Sequence, residues 1–423
     1  MKPNNLRDTL RGMSVIELMV AMALALIGTV VIFQVYAVNE EFRRGTTAGS
    51  DQQTNGLQAL MLIERQLRHA GFGINDSALY GCKMVTYDNQ HVPMNPTPYP
   101  LAAVQIFSNT GPTPDVINVM YGGTNNSAVA QNLYGPMTSA TDYPQVGNPY
   151  GFLAGDIMIL GQPGVNCLAT IAEVTLNPGG NPVSVNELRT ANGTYTQDPT
   201  LYMSTTVLSR WNNPAGIPCG VPCFDENAKV INLGWLLDPS RPPRYNQITV
   251  QTGLANPGLN NKLVVQNLWD QLPTWLPIAE QIVQLKAEYG MDDGKDNNTV
   301  KGSPFILNDG IIDRYIPDPI AAGGPKYPAT PSTDWRLVKT VRVAIVARSA
   351  APLKPTGGGA CDATPAFDPS LANNTYPVRW AFGPDAPLGR PIDVSGSGAD
   401  WQCYKYQVYE TTVPLRNVLW SPS

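Results

Sequence analysis

The chain has 423 residues, 43% of them hydrophobic and only 14% charged, where an average protein carries about 25% charged residues; this excludes global disorder, which needs low hydrophobicity and high net charge. Its 38 Gly and 39 Pro follow no G-X-Y period, so collagen is excluded and an all-helical protein is disfavoured. A balance of 28 Lys+Arg against 33 Asp+Glu, net −5, leaves no basic stripe to neutralise phosphates, so no nucleic acid is expected as a partner.

The N-terminus carries the sharpest pattern. Residues 1–12 (MKPNNLRDTLRG) hold Lys2, Arg7 and Arg11 against Asp8. Residues 13–36 are apolar with a single charge, Glu17. As a helix this stretch spans roughly 36 Å, enough to cross a bilayer core of about 30 Å. The basic flank is expected to stay cytoplasmic. A secretory signal has an apolar core of about 7–15 residues with a small-residue cleavage site behind it; here the run is longer and Gly12 precedes it. A plain signal anchor does not explain the acid. A carboxylate inside a membrane helix costs about 2.5–3.5 kcal/mol at the centre and marks a function by default. A cut between Gly12 and Met13 would create an ammonium able to meet a carboxylate at position 17, in the same chain or a neighbour.

Gly12-Met13-Ser14-Val15-Ile16-Glu17-Leu18 resembles the class III signal of type IV prepilins, with Met13 where the family usually has Phe. The resemblance implies cleavage after Gly12 and N-methylation of Met13 by a prepilin peptidase, then helix packing in a filament core. Further blocks resemble minor pilins of the PilW type: residues 56–74 (GLQALMLIERQLRHAGFGI), 114–123, 155–175 and 404–420, the last ending in an LRN motif.

No Pro lies between Pro3 and Pro93, so one helix can run from about Met13 to about Ala70. Gly28, Gly45, Gly49 and Gly56 each weaken it by up to about 1 kcal/mol relative to Ala. Residues 45–50 are the expected bend, and Gly28 reads as a site of close helix packing in the membrane or of local melting within a filament. Leu57, Leu60, Met61 and Leu67 fall near one helical face with Ile63 flanking it; Glu64 interrupts that stripe. Gly71 and Gly73 are stop signals.

Beyond residue 75 the chain reads as short strands in long loops. Strands are predicted at 116–121, 157–160, 168–176, 262–266, 338–347 and 404–412. Val341, Val343 and Ile345 share one face by period two, as do Tyr404, Tyr406 and Val408, and these two late runs can pair antiparallel. A second helix is predicted over 277–289, with Pro277 in its first turn and Ile278, Ile282, Leu285 and Tyr289 on one buried face. Residues 80–244 and 350–400 read as insertions, where partners or surfaces would be contacted. The expected fold is α+β and pilin-like: a long N-terminal helix packed on an antiparallel sheet with large loop insertions. The expected organisation is a leader at 1–12, a transmembrane and filament-core half-helix at 13–36, a periplasmic half at 37–74 and a β-rich head at 75–423.

The six cysteines, Cys82, Cys167, Cys219, Cys223, Cys361 and Cys403, all fall on the non-cytoplasmic side of that topology, where disulfides are the default. Six allow 15 pairings. Cys361 with Cys403 would clip the late insertion and resembles the C-terminal loop disulfide of pilins. Cys219 with Cys223 would close a small loop, which leaves Cys82 with Cys167. Zinc is the rival at Cys219 and Cys223, but no second ligand pair lies nearby. In the stretch 289–315, Asp292, Asp293, Asp296, Asn298, Asp309 and Asp313 offer hard oxygens between Gly turns, which suits calcium. The spacing departs from the EF-hand pattern, and the same residues favour turns without any metal. No other cofactor is expected.

Only His69 and His91 are available for His chemistry, and no nucleophile elbow, zincin, P-loop or dinucleotide motif occurs. An enzyme, such as a membrane-anchored hydrolase, is therefore not expected. The resemblance implies a minor pilin that joins other minor and major pilins, the prepilin peptidase and the assembly machinery of the inner membrane. It would be single-pass with its head in the periplasm, primes assembly, and then sits in the extracellular pilus at or near the tip. An adhesin-like tip subunit and a minor pseudopilin of type II secretion are the alternatives.

Overall fold

The computed structural model describes residues 14–74, 76–90, 100–123, 129–164, 167–175, 187–196, 206–219, 223–238, 240–252, 257–270, 272–292, 310–316, 325–326, 334–353, 359–365, 378–383 and 388–419. In chain order its main elements are α1 (Val15–His69), β1 (Val104–Phe107), β2 (Val116–Tyr121), β3 (Asp156–Gln162), β4 (Leu168–Glu173), β5 (Lys229–Trp235), β6 (Arg244–Gln251), β7 (Lys262–Asn267), β8 (Leu276–Glu280), β9 (Ile282–Met291), β10 (Val338–Arg348), β11 (Tyr406–Pro414) and α2 (Arg416–Leu419). The fold is α+β with a long N-terminal helix.

Among the described residues the head holds three main sheets where the sequence suggested one. The first has the order β4-β3-β5 at its centre, flanked by Lys83–Met84 and Gln131–Asn132. The second runs β8-β7-β6-β2-β1 and ends on Pro325–Lys326; the third runs Arg314–Tyr315, β9, β10, β11. Among the described residues, pairing is antiparallel except between Lys83–Met84 and β4. The two late strands pair as the alternation predicted, with Val343 opposite Thr411. The insertion 80–244 is therefore mostly a sheet of its own, with a second apolar cluster around Phe152, Met158, Leu160 and Phe224 on its outer face.

Helix α1 continues unbroken through residues 45–50, the expected bend. Its second half lies against β8, β10 and β11. The buried side of that half is Ala48, Gln52, Gly56, Ala59, Ile63, Leu67 and Ala70, at helical spacing. This corrects the predicted face. Ile63 and Leu67 are fully buried and Leu60 partly so, but Leu57 is 51% and Met61 69% exposed. The cause is closeness. A Cβ on Gly56 would overlap the ring of Tyr409, so this stretch of the interface takes small residues and turns its large ones outward. Glu64 sits partly exposed and pairs with Arg68 at 2.5 Å.

The predicted helix over 277–289 is also corrected: the segment forms β8 and β9. Pro277 lies on β8, at the edge of the second sheet, where a missing N–H is tolerated. Gln281 between the strands has φ 57°. The register slips between Ile282 and Gln284. That bulge changes which face each residue meets, so Ile282, Leu285 and Tyr289 all reach the main core although their spacing is not uniformly two. The last predicted strand starts at Tyr406 instead of Tyr404 and extends to Pro414. β10 is buried on both faces: Val341, Val343 and Ile345 enter the main core, while Ala344 and Val346 meet a third cluster with Trp380 and Ile392 from the late insertion.

Candidate assembly helix and buried polar centres

Ser14 caps α1. Its backbone is extended and its hydroxyl accepts from Ile16 N at 3.3 Å, satisfying one of the donors a helix start leaves open. Glu17 lies in the first turn, where the helix dipole favours an anion. Every side chain from 14 to 39 is exposed. The apolar ones include Val15 at 76%, Phe33 at 74% and Tyr36 at 72%. Among the described residues this is the one helix long and apolar enough to cross a membrane. Nothing lies within 4 Å of a Cβ built on Gly28, so another helix could approach closely there. Gly12 and Met13 lie outside the described residues.

Sequence reasoning missed how the helix is locked to the head. Gln52 is buried, and its Nε2 donates to Ala347 O at 2.7 Å and Lys405 O at 3.1 Å. One side chain thus joins the helix to β10 and to the chain entering β11. At the other end, Asn417 Nδ2 donates to Ala70 O at 3.0 Å and to Arg68 O and His69 O at 3.4 Å. A helix end leaves its last carbonyls open, and α2 supplies a donor for them. The LRN motif was the available signal.

The cysteine sulfurs are joined as Cys82–Cys167, Cys219–Cys223 and Cys361–Cys403, with Cα separations of 4.7, 4.9 and 4.7 Å. The first sits directly before the parallel pairing of Lys83 with Leu168. It clamps a register that no tight turn can set. The third ties the late insertion to the start of β11.

Of the acidic stretch, Asp292 and Asp313 are described; Asp293, Asp296, Asn298 and Asp309 lie outside the described residues. Asp292 is fully buried, and its Oδ2 accepts from Gly310 N at 2.7 Å. Asp313 N donates to Met291 O at 2.9 Å. The two ends of the stretch are therefore adjacent. Among the described residues no group of three acidic, His or Cys side chains could hold a metal.

Two further polar centres are invisible in the sequence because their members are far apart. Arg210 grips Asp88 bidentately at 2.8 and 2.7 Å and reaches Trp269 O at 2.5 Å. Its guanidinium lies 4.5 Å from the centre of the Trp211 ring. Beside it, Glu173 accepts from Tyr195 Oη and from Arg210 N. Burial pushes the Glu173 carboxyl above the usual range, and these hydrogen bonds oppose that rise. The second centre pairs Lys286 with Asp115 at 3.3 Å and Arg342 with Glu288 at 2.7 Å.

The stretch from β6 to α2 has a known counterpart. Residues 249–417 match the family model PilW, Type IV Pilus-assembly protein W. That region is similar to the PilW family. It spans β7 to β11 and the Asn417 cap, together with the end of β6, and so contains the whole third sheet on which α1 rests. α1 and the first sheet lie outside the match. No curated protein and no solved structure matches the chain.

Proposed function

We propose that the chain is a minor pilin that takes part in type IV pilus assembly, priming a filament and then sitting at or near its tip. One observation carries this reading. A helix with an entirely exposed apolar first half, and Glu17 as its one charge from Val15 to Asn39, is built through its second half into a region similar to the PilW family. An apolar rod of about 36 Å needs a bilayer or other rods around it. In lipid there is no hydrophobic drive between helices, so small residues and polar pairs decide which ones associate. Gly28 offers close approach. Glu17 offers a carboxylate, whose burial cost is offset when a neighbour's terminal ammonium meets it. Cleavage after Gly12 and methylation at Met13 by a prepilin peptidase would supply that ammonium. Leu57 and Met61, exposed on the outward face of α1, extend the contact surface into the head.

The partners are other minor and major pilins and the inner-membrane assembly machinery. The subunit waits in the inner membrane with its head in the periplasm and leaves as part of the extracellular pilus. A pseudopilin of type II secretion would share the N-terminal chemistry; the PilW match favours the pilus. The test is Glu17→Ala. The variant is expected to insert into the membrane at normal levels and to be missing from purified filaments. Wild-type incorporation would remove the role given to Glu17. Mass spectrometry of the filament-derived protein should find N-methylated Met13 as its first residue.

We also propose calcium at the acidic turn, supported by the adjacency of Asp292, Gly310 and Asp313. Added calcium should raise the melting temperature, and Asp296→Ala should abolish the rise. An unmodified protein with no calcium-dependent shift would have no such site.

A further inference from the structure

A cavity of about 160 Å³ opens at the end of the first sheet, against the turn that follows β7. The strand register brings its lining together: Glu173 of β4 lies opposite Ile157 of β3, and Trp235 of β5 lies opposite Asp156. Trp211 and Trp269 add two more indole walls. These two are buried, and Trp235 is half-buried. Leu208 and Leu237 also line the cavity and are 59% and 68% exposed, so its rim is apolar.

The charges around this cavity do not cancel. Arg210 is taken by Asp88 at 2.8 and 2.7 Å, and its guanidinium lies 4.5 Å from the centre of the Trp211 ring. Asp270 has Arg244 at 3.6 Å. Glu173 is left over. It is buried, and its carboxylate accepts from neutral donors, Tyr195 Oη and the backbone N–H groups of Arg210 and Trp211. Among the described residues no cation pairs with it directly; Arg210 acts on it only as a more distant charge. A buried carboxylate without a counter-charge is costly, in keeping with the upward push on its pKa.

We infer that this cavity binds a small methylated ammonium ion, of the choline type. Indole is the best ring face for a cation, and the attraction grows when water is excluded. Glu173 supplies the counter-charge. Its oxygens already accept hydrogen bonds, which suits a quaternary ammonium, because that ion has no N–H to donate. A lysine-like ammonium would need free acceptors, and a calcium ion about six to eight oxygens. The methyl groups fit the leucine rim and Ile157, an apolar wall with few polar groups being the usual make-up of a small-molecule site. A neutral sugar would leave the charge of Glu173 uncompensated, and an anion would be repelled by it.

The experiment uses the full chain in a non-ionic detergent, titrated by calorimetry with choline, with glucose, and with the neutral isostere of choline in which a tert-butyl group replaces the trimethylammonium. Choline is expected to bind saturably, and the other two roughly tenfold more weakly or worse. Glu173→Gln removes the charge but keeps the partners, since the amide oxygen can accept from Arg210 N while the amide nitrogen donates to Tyr195 Oη. It should weaken choline roughly tenfold. Trp235→Leu keeps an apolar wall and removes a ring face, and should weaken choline roughly fivefold with an unchanged melting temperature. If one variant fails to fold, the other decides together with the comparison of choline and its isostere. Absence of saturable choline binding in the unmodified protein, an isostere or glucose that binds as well as choline, or choline binding unchanged in a folded variant overturns the site. None of these outcomes depends on the assembly reading, because the cavity lies wholly in the head.

Discussion

Gly56 shows how a single position can read one way in sequence and another in space. By propensity it weakens α1, and Ala should improve the helix by up to about 1 kcal/mol. In the structure the Tyr409 ring occupies the space a Cβ would need. Overpacking of this kind costs about 1–3 kcal/mol, so it outweighs the propensity gain. Gly56→Ala is expected to destabilise the protein by about 1–2 kcal/mol, measured by chemical denaturation. Paired with Tyr409→Leu, which removes the ring, the loss should fall well short of the sum of the single effects, since residues in contact are not additive. Additive losses would show that the contact does not decide the role of this glycine. The small-residue stripe Ala48, Gly56 and Ala59 belongs to the same logic. Its members were unreadable as core in the sequence because large apolar residues, Leu57 and Met61, sat beside them and suggested a different face.

At the level of elements, what the sequence made legible depended on how local each signal was. α1 was readable from a long apolar run and the absence of Pro. β10 and β11 were readable from alternation. The β8 and β9 region was misread because Gln281 and the bulge at Ile282 broke the period of two, so that Ile278, Ile282, Leu285 and Tyr289 mimicked a helical face. The polar centres were hidden altogether: Arg210 and Asp88 are 122 positions apart. The Asn417 cap lies between these extremes, a motif visible in sequence whose purpose needed the fold. It closes the carboxyl end of α1 from a helix 347 positions away. Asn417→Ala is expected to cost about 1 kcal/mol in denaturation experiments, with increased amide exchange at residues 67–71. Asn417→Asp should cost more, because a carboxylate cannot donate to carbonyls and would sit at the negative end of the helix dipole. Equal stability of the two variants would mean that the amide is not acting as a donor.

At the scale of the whole molecule, one helix has two parts: an exposed apolar half and a half built into the head. Residues 14–39 contribute nothing to the core, and the first buried side chain of α1 among the described ones is Ala48. From there to Ala70 the same helix is built into the head through Gln52, Gly56, Ile63 and Leu67. The Cys82–Cys167 bond and the three sheets lie entirely on the head side. Folding of the head and insertion of the rod should therefore be separable. A chain lacking residues 1–39 is expected to be soluble without detergent, to keep all three disulfides, and to differ in head stability by about 0.5 kcal/mol or less, the range of surface changes. The full chain should aggregate without detergent, because its exposed apolar surface far exceeds what a soluble monomer carries. Calorimetry of the two forms makes the comparison. A truncated chain that melts several degrees lower would mean that the rod stabilises the head, and that the division of α1 between membrane and head does not hold.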